Sequence, residues 1–204
     1  MNRLSNTSQL LAAAVEELSM LPGIGAKSAL RFALFLLDQP LENVERFGSA
    51  ILKMRREITN CPICNNITDT PICSICTDGK RDSTTICLVE SFRDLISIEN
   101  TGEYNGVYHV LGGLISPMDG VSPSNLSIQT LVERVEKGDI KEVIMALSTT
   151  IEGETTAFFI YRKLIPFDIK VSTIARGVGF GDNLEYTDQL TLGRSIARRQ
   201  PFNP

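Results

Sequence analysis

The sequence predicts a multi-module α/β protein: a helical N-terminus, a small four-cysteine metal module, and an α/β region with a mostly parallel sheet. Three observations carry this. Apolar residues fall at helical spacing up to residue 58, two C-x2-C pairs lie between residues 61 and 76, and strand-length apolar runs alternate with helical stretches from residue 84 onward. The 204 residues are 43% hydrophobic and 22% charged, enough apolar material for buried cores, which excludes disordered and fibrous classes.

The first element is a short amphipathic helix within residues 8–21, with Leu11, Ala14, Val15 and Leu18 at helical spacing and Ser8 as its cap. Pro22 and Gly23 end it, and Leu21-Pro-Gly-Ile-Gly25 forms a tight apolar turn. Helical spacing resumes over residues 26–37 through Ala29, Phe32, Ala33, Leu36 and Leu37, so the pattern is helix, hairpin, helix. Pro40 closes the second helix. A third over residues 41–58 has Leu41, Val44, Phe47, Ile51 and Leu52 on one face, with Lys53, Arg55 and Arg56 near its carboxyl end.

Residues 61–80 have no period and hold the cysteine pairs. Strands are expected at 85–89, 107–111, 143–147 and 169–174, and helices at 91–99, from Ile128 to a stop at Gly138, and at 153–164. Residues 112–125 read as a loop rich in Gly, Pro and Ser. The tail shows a glycine-rich turn (Gly177, Gly179, Gly181), an extended piece at 184–186 and a basic helix through Arg194, Arg198 and Arg199.

No apolar stretch approaches the roughly 20 residues of a membrane span. Residues 10–15 are too short for a signal-peptide core and run into Glu16 and Glu17, so a cytoplasmic protein is expected. Net charge is −4, distributed as +1 over residues 1–60 and −5 over the rest. Nucleic-acid contact is therefore expected near the N-terminus, as a local, salt-sensitive patch rather than through a long-range field. His109 is the only histidine, which removes any chemistry needing two.

Cys61-Pro-Ile-Cys64 and Cys73-Ser-Ile-Cys76 place four thiolates where two adjoining knuckles can close a tetrahedron around one ion. Four sulfur ligands leave no open position for water, so the expected site is structural zinc, one per chain. Its binding energy of about 10 kcal/mol or more would fold a segment too small for a core of its own. The alternative, a dithiol redox site, needs a pair at a strand-to-helix junction. Cys87, in an apolar strand, reads as a small core residue.

Gly23 and Gly25 let backbone approach a phosphate, and free N–H groups at the start of the second helix favour an anion. Lys27 and Arg31, four apart, share a helix face and would neutralise neighbouring phosphates without reading bases. The plain alternative is a tight turn with two solvated cations. Glu90 stands where a strand gives way to a helix, with Asp94 a turn further on, the position where open α/β folds place ligands. A metal-dependent site there needs further carboxylates, but the neighbouring strand ends in Ser148-Thr149-Thr150, with Glu152 and Glu154 only later. Ser91 and Asp94 also make a capping box, and Glu152 and Glu154 suit a helix start. The turn over residues 177–181 lacks the Lys-Ser/Thr of a nucleotide loop.

Together these residues resemble the bacterial recombination mediator family RecR. The resemblance runs through Leu21-Pro-Gly-Ile-Gly-Ala-Lys-Ser-Ala-Leu-Arg31, the four paired cysteines, the stretch from Thr101 to Gly113, Ser116-Pro-Met-Asp-Gly120, Glu152-Gly-Glu154 and Leu184-Glu-Tyr186. It implies a helix-hairpin-helix DNA-binding region over 1–58, a four-cysteine zinc finger over 59–80, a Toprim-like α/β domain over 81–175 and a C-terminal oligomerisation segment over 176–204. It further implies a DNA-binding, non-catalytic clamp that assembles into dimers or ring-like tetramers and works with RecO and RecF to load RecA onto gapped DNA. By position, Lys27, Arg31, Gly23 and Gly25 would face DNA. Glu90, Asp94, Glu152 and Glu154 would form an acidic partner surface, and His109 falls in a family motif without a chemical role. Where relatives usually show Glu-Asp-Pro and Asn-Pro, this chain has Glu90-Ser91-Phe92 and Ser148-Thr149-Thr150. The rival readings are a metal-dependent nuclease- or primase-like enzyme using Glu90 with Glu152 or Glu154, and a zinc-stabilised protein adaptor.

Overall fold

The computed structural model describes residues 8–175, 177 and 184–197. The chain divides into two compact units, residues 1–58 and 59–204.

In the first unit α1 (Gln9–Ser19), α2 (Ala26–Leu37) and α3 (Leu41–Glu57) form where the apolar spacing places them. The Ser8 hydroxyl accepts the Leu11 amide at 3.3 Å, capping α1 as expected. Gly23 takes φ +79°, a left-handed value that an L side chain resists, and this reverses the chain between α1 and α2. The two helices meet through Val15, Ala29 and Ala33, with Leu11, Leu18, Ile24 and Leu30 packed around them. Helix α3 contributes no buried residue, although its apolar face forms as read from the sequence.

In the second unit β1 (Thr59–Asn60) and β2 (Ile67–Thr68) pair antiparallel around the first cysteine pair, and α4 (Ser74–Thr77) holds the end of the second. Then follow β3 (Asp82–Val89), α5 (Phe92–Glu99), β4 (Gly106–Val110), α6 (Ile128–Lys137), β5 (Glu142–Ala146), α7 (Ile151–Leu164) and β6 (Lys170–Thr173). The four strands β3 to β6 form one wholly parallel sheet in the order β4-β3-β5-β6, with Val89 opposite both Val110 and Ala146.

Alternate residues of the strands enter two different cores, as the pleat dictates. Ile86, Leu88, Val107, Val143 and Met145 pack with Leu131 and Val135 of α6 and Ile160 and Leu164 of α7. Cys87, Val89, Tyr108 and Val110 pack with Leu95 of α5 and Ile75 of the cysteine module. Cys87 is therefore a core residue, and burial pushes its thiol up to about 12.

Several boundaries differ from the sequence reading. Helix α7 starts at Ile151 rather than 153 because the Thr150 hydroxyl accepts the Gly153 amide at 3.1 Å, so the expected hydroxyl-rich strand end is an N-cap. The loop after β4 contains two 3-10 turns, Pro117–Asp119 and Pro123–Asn125. Residues Leu184–Tyr186, expected to be extended, form a 3-10 turn closed by the Thr187 amide on the Leu184 carbonyl, followed by α8 (Gln189–Ala197). Gly179, Gly181, Arg198 and Arg199 lie outside the described residues. Among the described residues no helix is long and apolar enough to cross a membrane.

Candidate metal centre and nucleic-acid interface

The four cysteines of the two C-x2-C pairs converge. Their Sγ atoms lie within 4.8 Å of one another, Cys61, Cys64 and Cys73 are buried, and Cys64 and Cys73 Sγ stand 3.5 Å apart. Backbone N–H groups point at the sulfurs. Burial alone would raise the Cys61 thiol, yet the amides of Cys73, Cys64 and Ile63 outweigh it and bring Cys61 down to about 7. Cys64 is pushed the other way, first by its hydrogen bond with Cys76 and then by burial, and burial also raises Cys73. Four thiols this close cannot all ionise without a cation between them. The set therefore fits a tetrahedral soft-ligand ion and leaves no position for a substrate.

At the hairpin, Gly25 caps α2 in an extended conformation and offers no side chain to the helix's first amides, and the space where a Cβ would stand is open. Lys27 and Arg31 are exposed on this helix and make no salt bridge among the described residues. The Arg31 guanidinium lies 5.4 Å from the centre of the Phe32 ring. The hairpin thus presents free N–H groups and two unneutralised cations together.

The acidic residues sit at the carboxyl end of the sheet. Glu90 follows β3, and Glu152 and Glu154 open α7 after β5, the strand paired beside β3. Glu90 is half-buried, and burial, then the nearby Asp94 carboxylate, raise its pKa. Asp94 is committed to the predicted capping box: its Oδ2 accepts the Ser91 amide at 2.9 Å and the Ser91 hydroxyl at 2.7 Å. Among the described residues the four cysteines are the one group of three or more His, Cys, Asp or Glu placed to hold a metal ion.

His109 is fully buried in β4. Its Nε2 lies 2.8 Å from the Ser127 carbonyl, while Nδ1 has no partner among the described residues. Only one of the two ring nitrogens is therefore satisfied among the described residues. Burial, with the Arg134 charge adding, lowers its pKa to about 4 against the pull of the Ser127 carbonyl, so the ring is neutral at pH 7.

Comparison with known proteins agrees with this arrangement part by part. Residues 11–55 match the family model described as RecR, helix-hairpin-helix; residues 58–78 match that of the RecR four-cysteine zinc finger domain; residues 84–175 match Toprim domain; and residues 177–200 match RecR, C-terminal. The recombination protein RecR of Parabacteroides distasonis is 53% identical over 196 residues, covering 96% of this chain and 94% of that protein. The recombination protein RecR of Bacteroides thetaiotaomicron is 56% identical over 195 residues (96% and 95%), and that of Flavobacterium johnsoniae 53% over 196 residues (96% and 95%).

The chain belongs to the RecR family. Its role is accordingly in recombination repair. The RecR zinc finger match and the convergence of Cys61, Cys64, Cys73 and Cys76 agree on one structural zinc, which supplies cross-linking and no reaction chemistry. The α/β region is the Toprim domain of a RecR chain, with its parallel sheet as expected.

Sequence reasoning missed two residues of this RecR chain, in and just after the zinc finger, that the structure brings forward. Arg81, between the zinc finger and β3, reaches Glu99 of α5 and the Gly106 carbonyl. Asn65, directly after Cys64, reaches Val110 of β4. Their partners lie far away in sequence, and only the position of Asn65 beside a zinc ligand offered a signal.

Proposed function

We propose that the chain is a non-catalytic, DNA-binding clamp of recombination repair that acts in the cytoplasm, binds DNA without sequence preference through Lys27, Arg31, Gly23 and Gly25, and works with RecO and RecF to promote RecA loading on gapped DNA. The observation that carries this is the hairpin, where uncapped α2 amides stand beside two cations without salt bridges. Such an array recognises phosphate and not base edges.

Self-association supplies what one chain lacks. No residue of helix α3 is fully buried, and a groove of about 480 Å³ lined by Leu21, Phe32, Phe35, Val44 and Phe47 stands open. An isolated apolar face of this kind is unstable in water. We assign it to the same face of a second copy, giving a two-fold dimer that closes toward a dimeric or tetrameric ring. Glu90, Asp94, Glu152 and Glu154 at the carboxyl end of the sheet form the surface for protein partners. A metal-dependent enzyme reading is disfavoured because Asp94 is held by Ser91 and the end of β5 adds hydroxyls rather than acids.

The test is retention on covalently closed circular DNA under a salt challenge, before and after linearisation. Loss only on linearisation supports the clamp, and equal loss from both forms overturns it. Replacing Lys27 and Arg31 together by Ala is expected to reduce the slope of log K against log salt by about 2 on duplex. DNA binding unchanged by that pair overturns the interface assignment, and product formation with Mg²⁺ that Glu90→Gln abolishes overturns the non-catalytic reading.

A further inference from the structure

We propose that Asn65 is a positioning residue that couples the zinc knuckle to the end of β4 and, through it, to the turn carrying Glu90. Strand β4 is the outer strand of the sheet, and the hydrogen-bonding groups of Val110 face away from β3 toward the knuckle. The Val110 amide donates to the carbonyl of the zinc ligand Cys64 at 2.8 Å. The Val110 carbonyl accepts Asn65 Nδ2 at 2.8 Å and the Ser127 hydroxyl at 2.5 Å. Cys64 and Asn65 thus occupy the place of a further strand on an edge that would otherwise be open.

Asn65 is held for this task. Its φ is +59°, the one positive value of a non-glycine among the described residues, and asparagine adopts that conformation at lower cost than other side chains. Its amide donates to the Cys61 carbonyl at 2.9 Å, and its Oδ1 accepts Asn60 Nδ2 at 2.7 Å, which aims Nδ2 at Val110. Beyond Val110, the Leu111 amide donates to the Val89 carbonyl and the Gly112 amide to the Glu90 carbonyl, both at 2.9 Å. Movement at Val110 therefore pulls on the Glu90 turn. Ile75, which packs against both the cysteines and the Cys87 and Val89 side of the sheet, adds a second contact between the same two bodies. This coupling stands on the backbone geometry, whatever Glu90 touches.

The experiment uses the full zinc-loaded chain and follows amide hydrogen exchange at Val110 and Gly112, with Ile144 of β5 as reference, together with the rate of zinc release to a chelator. Asn65→Gly keeps the left-handed backbone and removes the side-chain donor. Asn65→Asp keeps the size and the turn but has no N–H to give, so it provides the same test if the glycine variant does not fold. Each is expected to raise exchange at Val110 and Gly112 about tenfold and to speed zinc release, with Ile144 unchanged. Faster zinc release with unchanged exchange at Val110 and Gly112 overturns the proposal. So does equal acceleration at all three amides, or wild-type behaviour of Asn65→Asp.

Discussion

Arg81 grips Glu99 with both arms of its guanidinium, Nη1 to Oε1 at 2.9 Å and Nη2 to Oε2 at 2.5 Å. The same Oε1 accepts the Tyr108 hydroxyl at 2.7 Å, and Arg81 Nη1 also donates to the Gly106 carbonyl at 3.0 Å. The pair joins the end of the zinc finger to α5 and β4, and Arg81 is only 16% exposed, so this is no ordinary surface ion pair.

Glu99→Gln is therefore expected to cost about 2 kcal/mol in urea denaturation, because it weakens a charge-assisted pair and leaves the partly buried Arg81 with only its longer 3.8 Å contact to Asp78 as counter-charge. Arg81→Lys should recover little, since an ammonium cannot hold both oxygens. The Arg81 hydrogen bond holds the Glu99 carboxyl below its ordinary value near 4.5. The stability from this pair is complete above that value and is lost as pH falls through the depressed folded one. If the Glu99→Gln protein loses as much stability in acid as the wild type, the assignment is contradicted.

His109 also loses its stabilising contribution in acid, over a higher pH range. The folded ring has a pKa of about 4 against an ordinary 6.5, so the unfolded chain binds a proton that the folded chain refuses. Stability from this residue is complete above about pH 6.5 and falls as pH drops toward 4, by about 3 kcal/mol over the whole range. His109→Gln keeps a donor for the Ser127 carbonyl and should flatten the urea midpoint between pH 7 and pH 5. As the chain has no other histidine, an unchanged slope leaves no alternative source of that kind.

Metal content separates the five cysteines. Cys64→Ser should reduce zinc well below one ion per chain and lower the thermal midpoint of the second unit. Cys87→Ser should leave zinc at one per chain, since Cys87 lies in the sheet core. Zinc loss in both variants would move the boundary of the site.

Gly153 opens the first turn of α7, and a Cβ there would collide with the Ser148 carbonyl oxygen and hydroxyl. Gly153→Ala gains about 1 kcal/mol in helix propensity but meets backbone, so net destabilisation of about 1–3 kcal/mol is expected. A thermal midpoint equal to or above wild type would mean that the β5–α7 turn relaxes freely.

Much of this was legible because it is local. The bounds of α2 followed from Ala29, Ala33 and their neighbours, the Ser91–Asp94 box from two residues three apart, and the zinc site from cysteine spacing. The parallel sheet followed from alternation alone. What escaped has no local signature. The bond from Asn65 to Val110 spans 45 residues, and that from Arg81 to Glu99 spans 18. The exposed side of α3 shows the same limit, because apolar spacing marks a face that wants cover without stating what covers it. The extended reading of residues 184–186 failed because three residues carry no period.

The pairing of Thr85 with Glu142 sets an order of events during synthesis. The cysteines are complete by residue 76, so a metal ion can be captured while the chain is still being made. Central strand β3 must wait for β4 on one side and much longer for β5 on the other, and closing so long a segment is slow. A nascent chain that has emerged from the ribosome beyond residue 110 but not yet through residue 142 would display a finished, ion-hardened hook with half a sheet attached, its inner edge bare. The interval between the emergence of β4 and that of β5 thus governs how long that edge stays open to another nascent chain.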